Sequence, residues 1–268
     1  MNNKYKSAAM IRDAAKGFMN GNYGRAIGIT FIYIGIAYLI NIIFSSFNDI
    51  LLKIFVSAGK TADADLWIKE TIFWAIDAVL GIMLAILIIG MNLFYLKVGC
   101  KAGTSAGDIF SGFKENFSRS LRIAFMVQGP ILLSLAPFSV CGWYLYDNLN
   151  NISAVSLNVL YVATIAGVVG GVLAVFFYLS LRMSYFIMHD FSEYSAGEVI
   201  SACWKKMNGN RWRLFKLEFS LIPYWILGFL TMGVGMLWVY PFIQEAEAQF
   251  YLDLMNPEKT NAEHEETV

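Results

Sequence analysis

Trp204-Lys-Lys-Met-Asn-Gly-Asn-Arg-Trp-Arg213 opens the stretch that decides the fold. It leads into an apolar run to Leu230, a Thr231-Met-Gly-Val-Gly235 break, and a second run ending Tyr240-Pro-Phe-Ile-Gln-Glu245. A basic collar interrupted by glycine, followed by two apolar segments and a tight turn between them, is the pattern of a membrane hairpin with its cytoplasmic approach. Weaker versions of the pattern occur earlier in the chain. The sequence therefore reads as an all-α polytopic membrane protein.

Composition agrees. Of 268 residues, 57% are hydrophobic and 15% charged, against roughly 45–50% and about 25% in soluble domains. The formal charge of +0 provides no global basic field for a nucleic-acid partner. The expected partner is the lipid bilayer, together with other membrane proteins or a second copy of the chain. Cys100, Cys141 and Cys203 are far apart and lack metal-site or redox spacing, so no metal or cofactor is implied. The polar segment 1–25 and the long apolar run after it do not form a secretory signal, and the run is expected to stay as the first span.

Within 1–25, Lys4, Lys6, Arg12, Lys16 and Arg25 surround Met10, Ile11, Ala14, Ala15 and Phe18, the spacing of a cytoplasmic amphipathic helix ended by Asn20-Gly21-Asn22. A membrane domain over 26–254 follows, with six spans at about 26–44, 71–96, 123–146, 156–181, 214–230 and 232–250. Apolar Ile50–Val56 is expected to dip into the interface after span one, and span three to be broken at Gln128-Gly-Pro130 and at Pro137. Span four carries Ala163, Gly167, Gly171 and Ala174 at helical spacing, a stripe suited to helix packing. Ser195-Ala-Gly-Glu198 is a capping box opening a helix through Met207. A polar turn is expected over 147–153, and the acidic tail 255–268 is expected to be disordered.

All but three of the 20 Lys and Arg residues, namely Lys53, Lys60 and Lys69, fall on one side of these spans. The positive-inside rule places both termini in the cytoplasm. Met19-Asn-Gly-Asn22 before span one matches Met207-Asn-Gly-Asn210 before span five, and Gly112-Phe113 through Arg119 is a looser copy before span three. The chain then contains three units of surface helix plus hairpin. The alternative is that each cytoplasmic re-entry independently favours basic and aromatic residues.

Catalytic histidine motifs are missing: there is no HExxH, and His189 and His264 are the only histidines. Acidic residues inside spans are the sharper signal, because a charge there is expensive. Asp77 lies toward the outer end of span two, whereas Glu218 and Glu245 lie near the cytoplasmic ends of spans five and six. They form either interfacial salt bridges or a polar pocket beside the interruptions at Pro223, Gly233, Gly235 and Pro241. Arg25, Arg119, Arg211 and Arg213 are candidates for lipid-headgroup contact. Gly167 and Gly171 are candidates for helix packing.

The segments Asn210-Arg-Trp-Arg-Leu-Phe215, Leu217-Glu-Phe-Ser-Leu221, Thr231-Met-Gly-Val-Gly-Met-Leu-Trp238, Tyr240-Pro-Phe242 and Ala248-Gln-Phe-Tyr251 resemble the DUF975 family of bacterial integral membrane proteins. Ala14-Ala-Lys through Gly21-Asn22-Tyr23, Ala26-Ile-Gly28 and Phe110-Ser-Gly-Phe113 are similar to it as well. Where Pro-Tyr is common in the family, this chain has Pro241-Phe242. The resemblance implies a membrane fold and brings no catalytic residues. The expected function is a non-enzymatic scaffold, accessory or envelope-maintenance component. The alternative is a small-solute, ion or lipid transporter with its site near the cytoplasmic end of the last hairpin.

Overall fold

The long apolar runs fold as helices, and those that open at Tyr23 and Arg211 are each preceded by an Asn-Gly-Asn hinge. A computed structural model describes residues 5–57, 63–114, 116–147 and 157–256, and among these there are helices and no strand. The chain divides into two units, one formed by Met1–Phe117 with Lys216–Val268 and the other by Ser118–Phe215. The expected polar turn after Asp147 and the acidic tail fall almost wholly outside the described residues.

In the first unit, α1 (Ala8–Met19) is capped by Ser7, whose Oγ accepts the Met10 N–H at 3.4 Å. Ile11, Ala15 and Met19 recur every fourth residue and are buried, forming one apolar stripe. Asn20 ends the helix, and Gly21 turns the chain at φ +87°, a conformation that costs glycine little. The Asn22 side-chain amide donates back to Phe18 O at 3.0 Å, and α2 (Tyr23–Ser57) begins.

Both α2 and α3 (Asp63–Gly99) are longer than the spans read from sequence. Residues Ile50–Val56 continue α2 instead of leaving it, and α3 starts before residue 71. At 1.5 Å per residue each is about 52–56 Å long, well beyond the ~30 Å hydrocarbon core of a bilayer. Among the side chains described, burial is concentrated at the start of α2 and the end of α3. In α2 it covers Ala26, Ile29 and Thr30, while Phe31 is already 66% exposed; in α3 it is concentrated in Ala85–Val98.

A 3-10 turn (Ala106–Phe110) and the one-turn α4 (Ser111–Lys114) run back along this buried part of α3. Gly90 of α3 lies against the Ile109 carbonyl, and Gly112 lies against Ile86. These contacts sit about 14–20 Å before the end of α3. Asp108 anchors the segment. One carboxylate oxygen accepts from Lys97 Nζ at 2.7 Å and the other from the Ser105 N–H at 2.8 Å. α9 (Arg211–Leu230) and α10 (Met236–Met255) are joined through Thr231–Gly235, and Tyr224 of α9 packs on Phe242 of α10 with ring centroids 4.9 Å apart.

In the second unit, α5 (Phe117–Asp147) runs unbroken through Pro130 and Pro137, where the sequence indicates breaks. Each proline removes the backbone donor to the carbonyl four residues before it; separately, Ser134 Oγ donates to Pro130 O at 2.6 Å, and Ser139 Oγ to Ala136 O at 2.8 Å. α6 (Leu157–Leu181) and α7 (Ser184–Asp190) lead to α8 (Ala196–Met207). The expected capping box opens α8. Ser195 N–H donates to Glu198 Oε2 at 2.7 Å, and the Glu198 N–H donates to Ser195 Oγ at 3.4 Å. Val199, Cys203 and Met207 form its buried stripe; Gly209 follows at φ +83°, and the Asn210 amide donates to Lys206 O at 3.0 Å.

Among the described residues, four helical segments are long and apolar enough to cross a membrane: Tyr23–Phe47, Ala75–Gly99, Phe117–Gly142 and Asn158–Asp190. They correspond to the first four expected spans. Replacing Gly90 by Ala is predicted to force its Cβ into the Ile109 carbonyl and lift the 106–114 segment off α3. Gly81→Ala, with open space around it, is the control. Thermal unfolding in detergent should show Gly90→Ala less stable by at least about 1–3 kcal/mol; equal stability of the two variants would contradict this packing.

Candidate functional site

The last four turns of α10 form the least expected part of the core. From Pro241 to Leu254 every residue except Leu252 is buried, including Gln244, Glu245, Glu247, Gln249 and Asp253. Polar side chains enclosed to this degree require partners, because an unpaired buried polar atom costs about 1–3 kcal/mol. Asp253 finds one at the start of α1: the Lys6 N–H donates to both of its carboxylate oxygens at 3.2 Å. Arg12 of α1 donates to Ser220 O of α9 at 3.1 Å. The first helix is thereby fastened to the last two.

Glu245 faces α3. Its Oε1 accepts from Gln249 Nε2, one turn on, at 2.7 Å, while Oε2 has no donor. A side chain on Gly99 would occupy the same space, because its Cβ would lie 2.9 Å from Gln249 Nε2 and 3.4 Å from Glu245 Oε1. Tyr95, one turn before Gly99, and Thr30 of α2 are fully buried, and neither hydroxyl has a hydrogen-bond partner. A further turn back, Asn92 is fully buried with neither amide atom partnered. Three helices thus bring polar oxygens into one apolar core.

Of the acidic residues singled out from sequence, Glu245 belongs to this cluster. Glu218 is half-buried on α9, and Asp77 is exposed on α3, about 27 Å along the helix from Tyr95. Asp77 is therefore remote from the site. Thr30, Asn92, Tyr95 and Gln249 were not anticipated. The signal for Thr30 and Asn92 is a neutral polar residue inside an apolar run, a weaker mark than a charge.

The four arginines considered for headgroup contact all have protein partners. Arg25 donates to Thr104 Oγ1 at 3.3 Å, Arg119 to Phe191 O at 2.6 Å, and Arg213 to Asn210 Oδ1 at 3.0 Å. The Arg211 guanidinium lies 4.7 Å from the ring centroids of both Phe176 and Trp204, a double cation–π contact tying the start of α9 to α6 and α8. On α6, a Cβ at Gly167 would meet the Phe138 ring at 2.8 Å, whereas the space around Gly171 is open. The close backbone approach, to the Ser134 carbonyl, is at Gly170. The small-residue face of α6 therefore runs Ala163, Gly167, Gly170, Ala174, one residue off the spacing read from sequence.

These features define an all-helical protein with apolar membrane-length helices whose buried ends enclose a polar cluster. A family model described as "Protein of unknown function (DUF975)" matches residues 1–258, and the chain belongs to that family. Nothing among curated proteins or solved structures matches it.

The cysteines test the packing of α8. Cys203 is fully buried, its thiol donates to Ser180 O at 3.2 Å, and burial pushes its pKa up to about 11. Since the thiolate is the reactive form, alkylation of Cys203 is predicted to be negligible near pH 8 and to rise only above about pH 10. Exposed Cys100 is predicted to label first at pH 8. Equal labelling of the two, read by peptide mass spectrometry, would show that α8 is not held against α6.

Proposed function

We propose that the protein is a six-span component of the bacterial cytoplasmic membrane, with cytoplasmic termini, that works without catalysis as a scaffold, accessory or envelope-maintenance protein. The observation that carries this reading is the division of labour along its helices. Buried, polar-stapled ends hold the chain together, while the remaining lengths present apolar side chains outward. Phe31, Tyr38, Leu39 and Ile43 on α2, and Tyr161, Ile165, Val168 and Val172 on α6, are each more than half exposed. In water such faces would aggregate; lipid or another membrane protein is their natural cover.

Three docking contacts support a three-unit organisation. α1 packs on α10, the 106–114 segment on α3, and α8 on α6. In each case the element that precedes a hairpin rests on the returning helix of the hairpin before it, taken in cyclic order. The hinges after α1 and α8 also agree closely. Asn20 and Asn208 share φ −63° with ψ 119° and 121°, each is followed by a positive-φ glycine, and each second asparagine caps the carbonyl four residues back. The copy before α5 is reduced to the 3-10 turn, α4 and Asn116 at φ +60°. On this reading α9 and α10 are the third hairpin and supply spans five and six, their 20 residues each reaching about 30 Å.

A second reading, transport of a small solute, ion or lipid, rests on the orphaned Glu245 oxygen and the prolines inside α9 and α10. Two experiments test the proposal. A membrane-impermeant maleimide is predicted to reach Cys100 only from the cytoplasmic face and Val234→Cys, in the α9–α10 turn, only from the outer face. Val234→Cys labelled from the cytoplasmic face would remove the last two spans. Purified protein in liposomes is expected to carry no proton, ion or lipid flux and to cross-link to membrane partners in cells. Flux abolished by Glu218→Gln with Glu245→Gln would establish transport in place of the scaffold role.

A further inference from the structure

We propose that the buried oxygens of Glu245, Tyr95 and Thr30 form a binding site for a small monovalent cation of the sodium class. The site lies within the unit that contains α1, α2, α3 and α10, and it does not depend on whether any solute crosses the membrane.

The argument begins with what surrounds the carboxylate. Glu245 is fully enclosed, one of its oxygens is taken by Gln249, and the other has no donor. No lysine, arginine or histidine pairs with it among the described residues. An isolated buried carboxylate is so costly that it acquires either a proton or a counter-charge. The neighbouring atoms favour the counter-charge. The Tyr95 and Thr30 hydroxyls, on two other helices, are each buried with an oxygen that makes no sound hydrogen bond. A protonated Glu245 adds only a single O–H donor. A cation coordinates several oxygens at once, and Asn92, one turn before Tyr95, holds a further buried oxygen without a partner.

The ligand set also defines the ion. Carboxylate, hydroxyl and amide oxygens are hard donors, suited to alkali and alkaline-earth ions and poorly matched to thiophilic metals. A single carboxylate neutralises one positive charge. A divalent ion would leave net charge in an apolar core and normally recruits several carboxylates among six or more oxygens. Gly99 belongs to the site because it leaves room, its missing side chain vacating the space beside Gln249 and Glu245.

The test is thermal unfolding of the purified full chain in detergent. NaCl is varied from about 1 to about 300 mM, with N-methylglucamine chloride holding ionic strength constant. An ion that binds only the folded state raises the midpoint, here by an expected shift of roughly 2–4 °C over this range. Glu245→Gln is predicted to abolish the shift. Thr30→Val and Tyr95→Phe, which each remove one neutral oxygen, are predicted to raise the half-saturating sodium concentration about tenfold, a loss typical of one ligand bond. They also keep the proposal testable if Glu245→Gln fails to fold. A wild-type midpoint indifferent to sodium, potassium and lithium would overturn the proposal, leaving Glu245 a protonated acid or a water-bound one. A sodium shift that survives in both Thr30→Val and Glu245→Gln would also overturn it, because the ion would then bind elsewhere.

Discussion

The rest of the first unit follows from one constraint: α10 carries Gln244, Glu245, Glu247, Gln249 and Asp253 into a core with almost no exposure. A helix of that composition can be buried only if its neighbours leave space and offer hydrogen bonds. Gly99 leaves the space on α3. The Lys6 N–H ahead of α1 meets both carboxylate oxygens of Asp253, placing the carboxylate where the helix dipole favours it. Gln249 meets Glu245 along the helix itself. Enclosing the polar stretch in this way joins the two ends of the chain, since α1 and α10 are the first and last helices described.

The second unit solves a similar problem with aromatic and apolar groups. Arg211 lies against the rings of Phe176 and Trp204, and the buried Cys203 thiol donates to Ser180 O. A guanidinium over aromatic rings keeps its charge while shedding much of its water, which suits a helix start near a membrane surface. The Asn-Gly-Asn hinges let a short amphipathic helix turn sharply into a long apolar one in both units. At each corner one carbonyl of the ending helix accepts from the side-chain amide of the second asparagine.

Much of this fold was legible in the sequence. The apolar runs, the amphipathic α1 and α8 and the capping box at Ser195 all depend on local periodicity and local hydrogen bonds, which sequence carries directly. Helix lengths were not legible. Ile50–Val56 reads as a separate apolar stretch at the interface and the prolines of α5 as breaks, yet α2 and α5 continue through them, because local propensity is a weak guide to where a long helix ends. The return of residues 106–114 along α3 was also hidden. It depends on Gly90 and Gly112 being small where two backbones meet, and only a contact partner reveals that. Glu245 was visible as a charge in an apolar run. Its companions Thr30, Asn92 and Tyr95 come from distant segments and ordinary polar residues, so their convergence depends on packing.

The claim on which this account depends most is that α1 is a member of the core, clasped to α10, rather than a free helix on the membrane surface. Hydrogen exchange of the full chain in detergent, comparing wild type with Asp253→Ala, tests it most directly. The account predicts that Ala8–Met19 amides in the wild type are protected to a degree similar to those of Ala85–Val98, and that the Asp253 variant loses protection in α1 first. Exchange of α1 within seconds in the wild type, with α10 protected regardless, would contradict it.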